Sequence, residues 1–222
     1  MLRTAAALFV LLVAAVAPAP AQALSGRIEA GRYISATGAF SMPIPVLQAL
    51  GGTVTDTSNV VTFKDSYSTM ISVGAFPMDA TERWEFSTKG ARDYLIQFFA
   101  LNVIPEFRRA FPKLTIEGSQ GTFMPALSGG SLLTFFLIPG GSAFVDASNP
   151  FAAPATPTVA KRGNLVFVRN NVTYVISTEL AERVTLGTSY HKTAAEEDDL
   201  LKKRIQEIVA GITFLGAPAA KP

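Results

Sequence analysis

NLVFVRNNVTYVIS, residues 164–177, consists of two runs of β-branched and aromatic residues hinged at Asn170-Asn171. Asn tolerates positive φ better than most residues, which a tight two-residue primed turn requires, so the segment reads as a β-hairpin. That turn sets Arg169 opposite Val172, Phe167 opposite Tyr174 and Leu165 opposite Ile176 on one face. Val168 with Thr173 and Val166 with Val175 fall on the other, because side chains alternate along a strand. Both faces are largely apolar, which places the hairpin inside a sheet covered on both sides.

Downstream, Glu179 to Lys192 is irregular, and Thr193 to Ala210 is a helix. Thr193 with Glu196 makes a capping-box pattern. Acidic Glu196 to Asp199 precede Lys202 to Arg204, the favourable order against the helix dipole. Asp198/Lys202 and Asp199/Lys203 are spaced as i,i+4 pairs. Leu201, Ile205, Ile208 and Val209 form its buried stripe, Gly211 caps it, and Ile212–Leu215 reads as a short edge strand before the tail.

Upstream, residues 147–161 hold three prolines and five alanines without periodicity, the pattern of a long surface loop. Leu114–Met124, Ser131–Ile138 and Ala143–Asp146 read as strands. Ser87 to Phe111 is helical: Ala91, Tyr94, Leu95, Phe98, Phe99 and Asn102 recur at helical spacing, with Ser87 or Thr88 as N-cap. Pro105 should kink or restart that helix and Pro112 should end it. Thr53–Asp56, Val60–Lys64 and Met70–Phe76 are an antiparallel meander. Val46–Leu50 reads as one helical turn ending at Gly51-Gly52. Tyr33–Pro45 is strand, turn at Thr37-Gly38, and strand, preceded by a short mixed leader from Leu24 to Arg32.

The chain opens as an export signal: Arg3, an apolar run from Ala5 to Val16, and the small-x-small site Ala21-Gln22-Ala23. A membrane anchor would need about 20 apolar residues, and Pro18 and Pro20 interrupt the run. Cleavage between Ala23 and Leu24 is therefore expected, leaving 199 of the 222 residues as a single domain, residues 24–216, with a tail. No later stretch is apolar for long enough to span a bilayer. There is no cysteine, which excludes a lipoprotein anchor, thiol catalysis and cysteine-ligated zinc. Arg3 leaves with the signal, so the charge falls from +2 to +1, and nothing electrostatic points to nucleic acid.

Strands, an aromatic helix, antiparallel strands, and a closing amphipathic helix with a short strand make an α+β chain, an antiparallel sheet flanked by helices. This order resembles the PsbP-like α/β/α sandwich family. Tyr33…Gly38-x-Phe40…Pro43 resembles its opening strand pair, Gly163 to Ile176 its penultimate hairpin, and Leu201…Ile205…Ile208…Ile212-x-Phe214 its closing helix and strand. The resemblance implies a binding or assembly role; family members share no catalytic residues, so no site carries over.

Candidate chemistry is sparse. His191, the single histidine, sits with Tyr190 and Lys192 in a loop where a ligand contact or a proton carrier competes with a solvated side chain. No G-x-S-x-G accompanies it, and Gly187-Thr188-Ser189 and Gly129-Gly130-Ser131 read as turns. No phosphate-binding glycine loop is present. Glu196 to Asp199 lack calcium-loop spacing and read as helix capping. Asn171-Val172-Thr173 fits a glycosylation sequon but reads as turn chemistry. Trp84, between Arg83 and Glu85, is either an exposed binding anchor or packed on the aromatic helix. The sequence thus points to an exported, periplasmic or secreted, non-enzymatic binding or accessory protein of the cell envelope. Trp84, Tyr190 and His191 are its candidate binding residues, no cofactor or metal is expected, and an envelope protein or a small ligand is its partner. An envelope hydrolase using His191 or surface carboxylates, and an apolar-ligand carrier drawing on the sixteen phenylalanines, are the alternatives.

Overall fold

The computed structural model describes residues 24–122, 129–144 and 158–215, and no side chain of residues 118–122. In chain order its strands are β1 (Arg27–Glu29), β2 (Arg32–Ile34), β3 (Phe40–Pro43), β4 (Thr53–Asp56), β5 (Val60–Lys64), β6 (Met70–Pro77), β7 (Thr115–Thr122), β8 (Ser131–Pro139), β9 (Val159–Arg169), β10 (Val172–Glu179) and β11 (Thr213–Phe214). The helices are α1 (Ala80–Phe98), α2 (Ile104–Ala110), α3 (Glu182–Thr185) and α4 (Ala194–Gly211).

The predicted hairpin is β9–β10, with Phe167 opposite Tyr174 and Leu165 opposite Ile176. Asn170 and Asn171 take φ of 53° and 57°, the primed turn that their side chains tolerate. Among the described residues, β4-β5-β6-β10-β9-β8-β7 form one antiparallel sheet and β1-β2-β3-β11 a smaller one. On one face of the large sheet Leu165, Phe167, Tyr174 and Ile176 meet Leu201, Ile205 and Val209 of α4 and Tyr33, Phe40 and Met42 of the small sheet. Tyr174 ties the layers together: its hydroxyl donates to the Ala39 carbonyl at 3.1 Å, and burial pushes its pKa up to about 12. On the other face Val166, Val175, Leu132 and Phe136 meet Tyr94, Leu95, Phe98 and Phe99. The protein is therefore α+β, an antiparallel sheet flanked by helices.

Several boundaries differ from expectation. The aromatic helix starts at Ala80, where Asp79 and Glu82 form a reciprocal capping box. The hydroxyls of Ser87 and Thr88 instead donate back to the Trp84 carbonyl, as mid-helix Ser and Thr do. Gly90, at φ 78° and ψ 164°, breaks α1 into two segments in a conformation reserved for glycine. Residues 24–32 are not a mixed leader: β1 and β2 form a hairpin turned at Ala30-Gly31, both with positive φ. The expected 143–146 strand is a turn at Ala143-Phe144, because the Ala143 N–H bonds the Glu179 carboxylate rather than a ladder partner; residues 145–146 lie outside the described residues. The expected 147–161 loop is shorter, since β9 begins at Val159 and Lys161 is wholly buried; residues 147–157 also lie outside. Gly211 is the last helical residue of α4, and the chain leaves through an extended Ile212 without a left-handed cap.

The β5–β6 connection is held by one carboxylate. Asp65 accepts the backbone N–H groups of Tyr67, Ser68 and Thr69 at 2.9, 2.8 and 2.9 Å. Burial pushes its carboxyl up, but the three N–H donors outweigh this and hold it below the usual carboxylate range. A depressed folded pKa contributes stability above the unfolded value of about 3.9 and loses it as pH falls through the folded value. Asp65→Asn should cost about 1 kcal/mol at pH 7, the loss of charge assistance. Urea midpoints of the two proteins should converge below about pH 3.9; a constant difference down to pH 2 would contradict the assignment.

Candidate functional site

One row of polar side chains crosses the large sheet. Register pairs Thr55 with Thr62, Thr62 with Ser72, Ser72 with Ser177, Ser177 with Asn164 and Asn164 with Thr134. Direct cross-strand partners share a face, so this row lies on the side of α1 and α2. It runs from exposed Thr55 to Asn164 and Thr134, which are 0% and 1% exposed. Thr62 donates to Ser72 at 3.3 Å, and Ser177 donates to the Asn164 carbonyl oxygen at 2.6 Å. Asn164 Nδ2 and Thr134 Oγ1 have no protein partner. Buried polar groups are normally paired, so a row of this kind in a sheet centre is not core packing.

The row passes along the floor of a cleft. Helices α1 and α2 cover β8 to β10 but leave β5 and β6 partly open, and the gap is a cavity of about 240 Å³. Ser72, Ser177 and Val175 form its floor, Val60 and Phe76 one side, and Asn102, Val103, Glu106 and Phe107 the other. Gly74 keeps the floor low: a β-carbon there would meet the Phe76 ring at 2.7 Å.

The helical wall has a local cause. Pro105 lacks the N–H that would bond the Leu101 carbonyl, so the chain widens into a π turn over Phe99–Val103 and the Ile104 N–H reaches back to the Phe99 carbonyl. That wide turn places Asn102 at the cleft, where Nδ2 donates to the Phe98 carbonyl at 3.2 Å and Oδ1 remains to accept. Glu106 follows one turn later, paired at 2.8 Å with exposed Arg109. A groove of about 460 Å³ continues from Phe76, Asn102 and Glu106 past Asn59 to Glu82.

A larger cavity, about 430 Å³, lies on the opposite face between Met42, Pro43, Ile71 and Ile208. Ser68, Thr69, Thr178, Arg204 and Glu207 also line it, Arg204 paired with Glu182 and the Thr178 hydroxyl donating to the Met70 carbonyl at 2.9 Å. What distinguishes the smaller cleft is the polar row under it, which fixes a ligand's orientation and runs on to the unpartnered Asn164 Nδ2 and Thr134 Oγ1.

The residues singled out from sequence do not gather there. Trp84 stands 64% exposed on α1. Tyr190 packs against the opposite core, its hydroxyl buried; burial first, then the Glu197 carboxylate, holds its pKa above the usual phenol value. His191 beside it is exposed, and no described Ser, Thr, Asp or Glu side chain hydrogen-bonds it. Leu24 is half-buried at the start of the described residues, and Ala23 lies outside them. Among the described residues no cluster of His, Asp or Glu is placed to hold a metal, and no helix is long and apolar enough to cross a membrane.

The chain matches no family model and no curated protein. Among solved structures it is similar to the Ran-binding protein Mog1p of Saccharomyces cerevisiae, at 11% identity and a TM-score of 0.46, over 81% of this chain and 92% of that one. A mutant of a protein named Mog1 gives 11% and 0.45, over 81% of this chain and 92% of that one. A Bacteroides thetaiotaomicron protein gives 11% and 0.42, over 83% of this chain and 48% of that one.

Two buried ion clusters frame the sheet. Lys161 Nζ lies 2.5 Å from Glu117, 2.6 Å from Asp198 and 3.2 Å from Glu197, which also takes Arg183 at 2.6 Å. The acidic start of α4 therefore does more than cap: Glu196 caps at Thr193, while Glu197 and Asp198 turn inward. No ion pair joins Asp198 to Lys202 or Asp199 to Lys203 among the described residues. On the other face Arg162 pairs with Glu179 at 2.9 Å and lies over the rings of Phe107 and Phe111. Both clusters fix helices onto the sheet and are scaffolds rather than sites.

Proposed function

We propose that the protein is an exported, non-enzymatic binding or accessory protein of the cell envelope, built as a PsbP-like sandwich, and that it holds a small ligand between α2 and the sheet. The observation that carries this reading is the cleft itself: apolar walls of Val60, Phe76, Val103 and Phe107 around a polar floor of Ser72 and Ser177. The reading of residues 1–23 as a leader supports export. A hydrolase would need a base aligned with a nucleophile, and exposed His191 has neither companion.

Val60→Trp tests the reading. Val60 sits half-buried at the mouth on β5, so an indole can fill the cleft while the surrounding sheet stays paired. Native mass spectrometry of protein recovered from the exported fraction should show a small-molecule adduct on the wild type and none on the variant, with thermal midpoints within a few degrees. Equal adducts on both would overturn the cleft as the site.

A further inference from the structure

We infer that the cleft selects a small organic ammonium ion over neutral or anionic ligands. The inference rests on the cleft being the binding site and adds the charge of its ligand. It follows from which hydrogen-bonding capacities remain unspent at the lining. The Ser177 hydroxyl spends its proton on Asn164, so toward the cleft it offers lone pairs. The Asn102 amide spends an N–H on the Phe98 carbonyl, and its oxygen is unspent. Glu106 brings a carboxylate to the mouth, Oε2 on exposed Arg109 and Oε1 left to accept, with Glu82, whose Oε2 takes the Asp79 N–H, beside it in the adjoining groove.

Against these acceptors the lining offers the hydroxyl proton of Ser72, the second Asn102 N–H and, in the adjoining groove, the Asn59 amide. Among the described residues lining the cleft and the adjoining groove none is Lys or Arg; the cations that touch the lining are each paired, Arg109 with Glu106 and Arg162, over the Phe107 ring, with Glu179. A carboxylate or phosphate ligand would meet two carboxylates at the mouth, one offset in part by an exposed arginine, and few donors. An ammonium group brings three donors and a positive charge, which match. The apolar walls of Val60, Phe76, Val103 and Phe107 take its organic part. The cleft itself, about 240 Å³, lies below the roughly 300–1,000 Å³ of drug-sized pockets, so the part of the ligand that enters it is small.

Three probes with one tail separate the possibilities: hexylammonium, hexan-1-ol and hexanoate, titrated calorimetrically into the full chain at pH 7. Hexylammonium should bind about tenfold more tightly than the alcohol, the worth of one charge-assisted hydrogen bond at a partly exposed site, and hexanoate most weakly. Glu106→Gln, on an exposed side chain that folding does not need, should remove most of that preference while moving hexan-1-ol less than about twofold. Ser177→Ala, checked by its melting curve, should weaken hexylammonium in the same direction. Hexanoate binding as tightly as hexylammonium, or a preference unchanged in Glu106→Gln, would overturn the ammonium assignment and leave the cleft as a site. Failure of all three probes to bind would overturn the cleft reading with it.

Discussion

Lys161→Met should lower the free energy of unfolding by about 3 kcal/mol, the low end of what losing one partner of a buried ion cluster costs. Lys161 is 0% exposed, and its ammonium is shared among Glu117, Glu197 and Asp198. Met keeps the apolar stem and removes only the charge, so packing loss is small. Glu197, 2% exposed, would keep Arg183, which is why the low end applies. Asp198 and Glu117 would be left without this cation, and α4 would lose its tie to β9. Burial pushes the lysine down, yet the three carboxylates outweigh it and the net shift is upward. A raised folded pKa means the stabilisation is complete at neutral pH and fades only above the unfolded value of about 10.4. Guanidinium midpoints at pH 7 measure the loss; a change under about 1 kcal/mol would show that the cluster is a solvated surface network.

Arg162→Leu should cost about 3–5 kcal/mol by the same mechanism. Its partner Glu179 is 0% exposed and also collects the Ser142 hydroxyl at 2.5 Å and the Ala143 N–H at 3.1 Å. Without the guanidinium those two donors alone face a buried carboxylate. The same guanidinium donates to the Gly141 carbonyl at 3.1 Å and lies 6.0 and 5.5 Å from the rings of Phe107 and Phe111. Removing it therefore loosens α2, and Phe107 is a wall of the cleft. Hydrogen exchange in α2 should accelerate more than in α4, and ligand affinity should fall with it. Uniform acceleration across both helices would mean that Arg162 stabilises the whole sheet without positioning the wall.

What could be read from the chain was local. The β9–β10 register follows from Asn170-Asn171 and alternation, and the start of α4 from Thr193 and Glu196, because each signal lies within a few residues. The start of α1 was equally local, yet Ser87 and Thr88 drew the N-cap away from Asp79 and Glu82, since hydroxyls that bond back to a helix carbonyl look the same in sequence as caps. Lys161 read as loop because alanine and proline surround it upstream; its three carboxylates come from β7 and α4, and no spacing announces such a pairing. The cleft was hidden for the same reason. Alternation already put Ser177 and Asn164 on the face of Val166 and Val175, but Ser72, Thr62 and Thr134 join them only through sheet order. Asn102 was read into a buried helical stripe, and the π turn at Pro105 moved it to the cleft.

The most direct measurement is a ¹⁵N–¹H NMR titration of the full chain with hexylammonium. Saturable shifts gathered at the amides of Ser72, Gly74, Asn102, Val103 and Ser177 are the predicted result. Shifts gathered instead at Met42, Thr69 and Ile208 around the opposite cavity, or no saturable shifts at all, would contradict it.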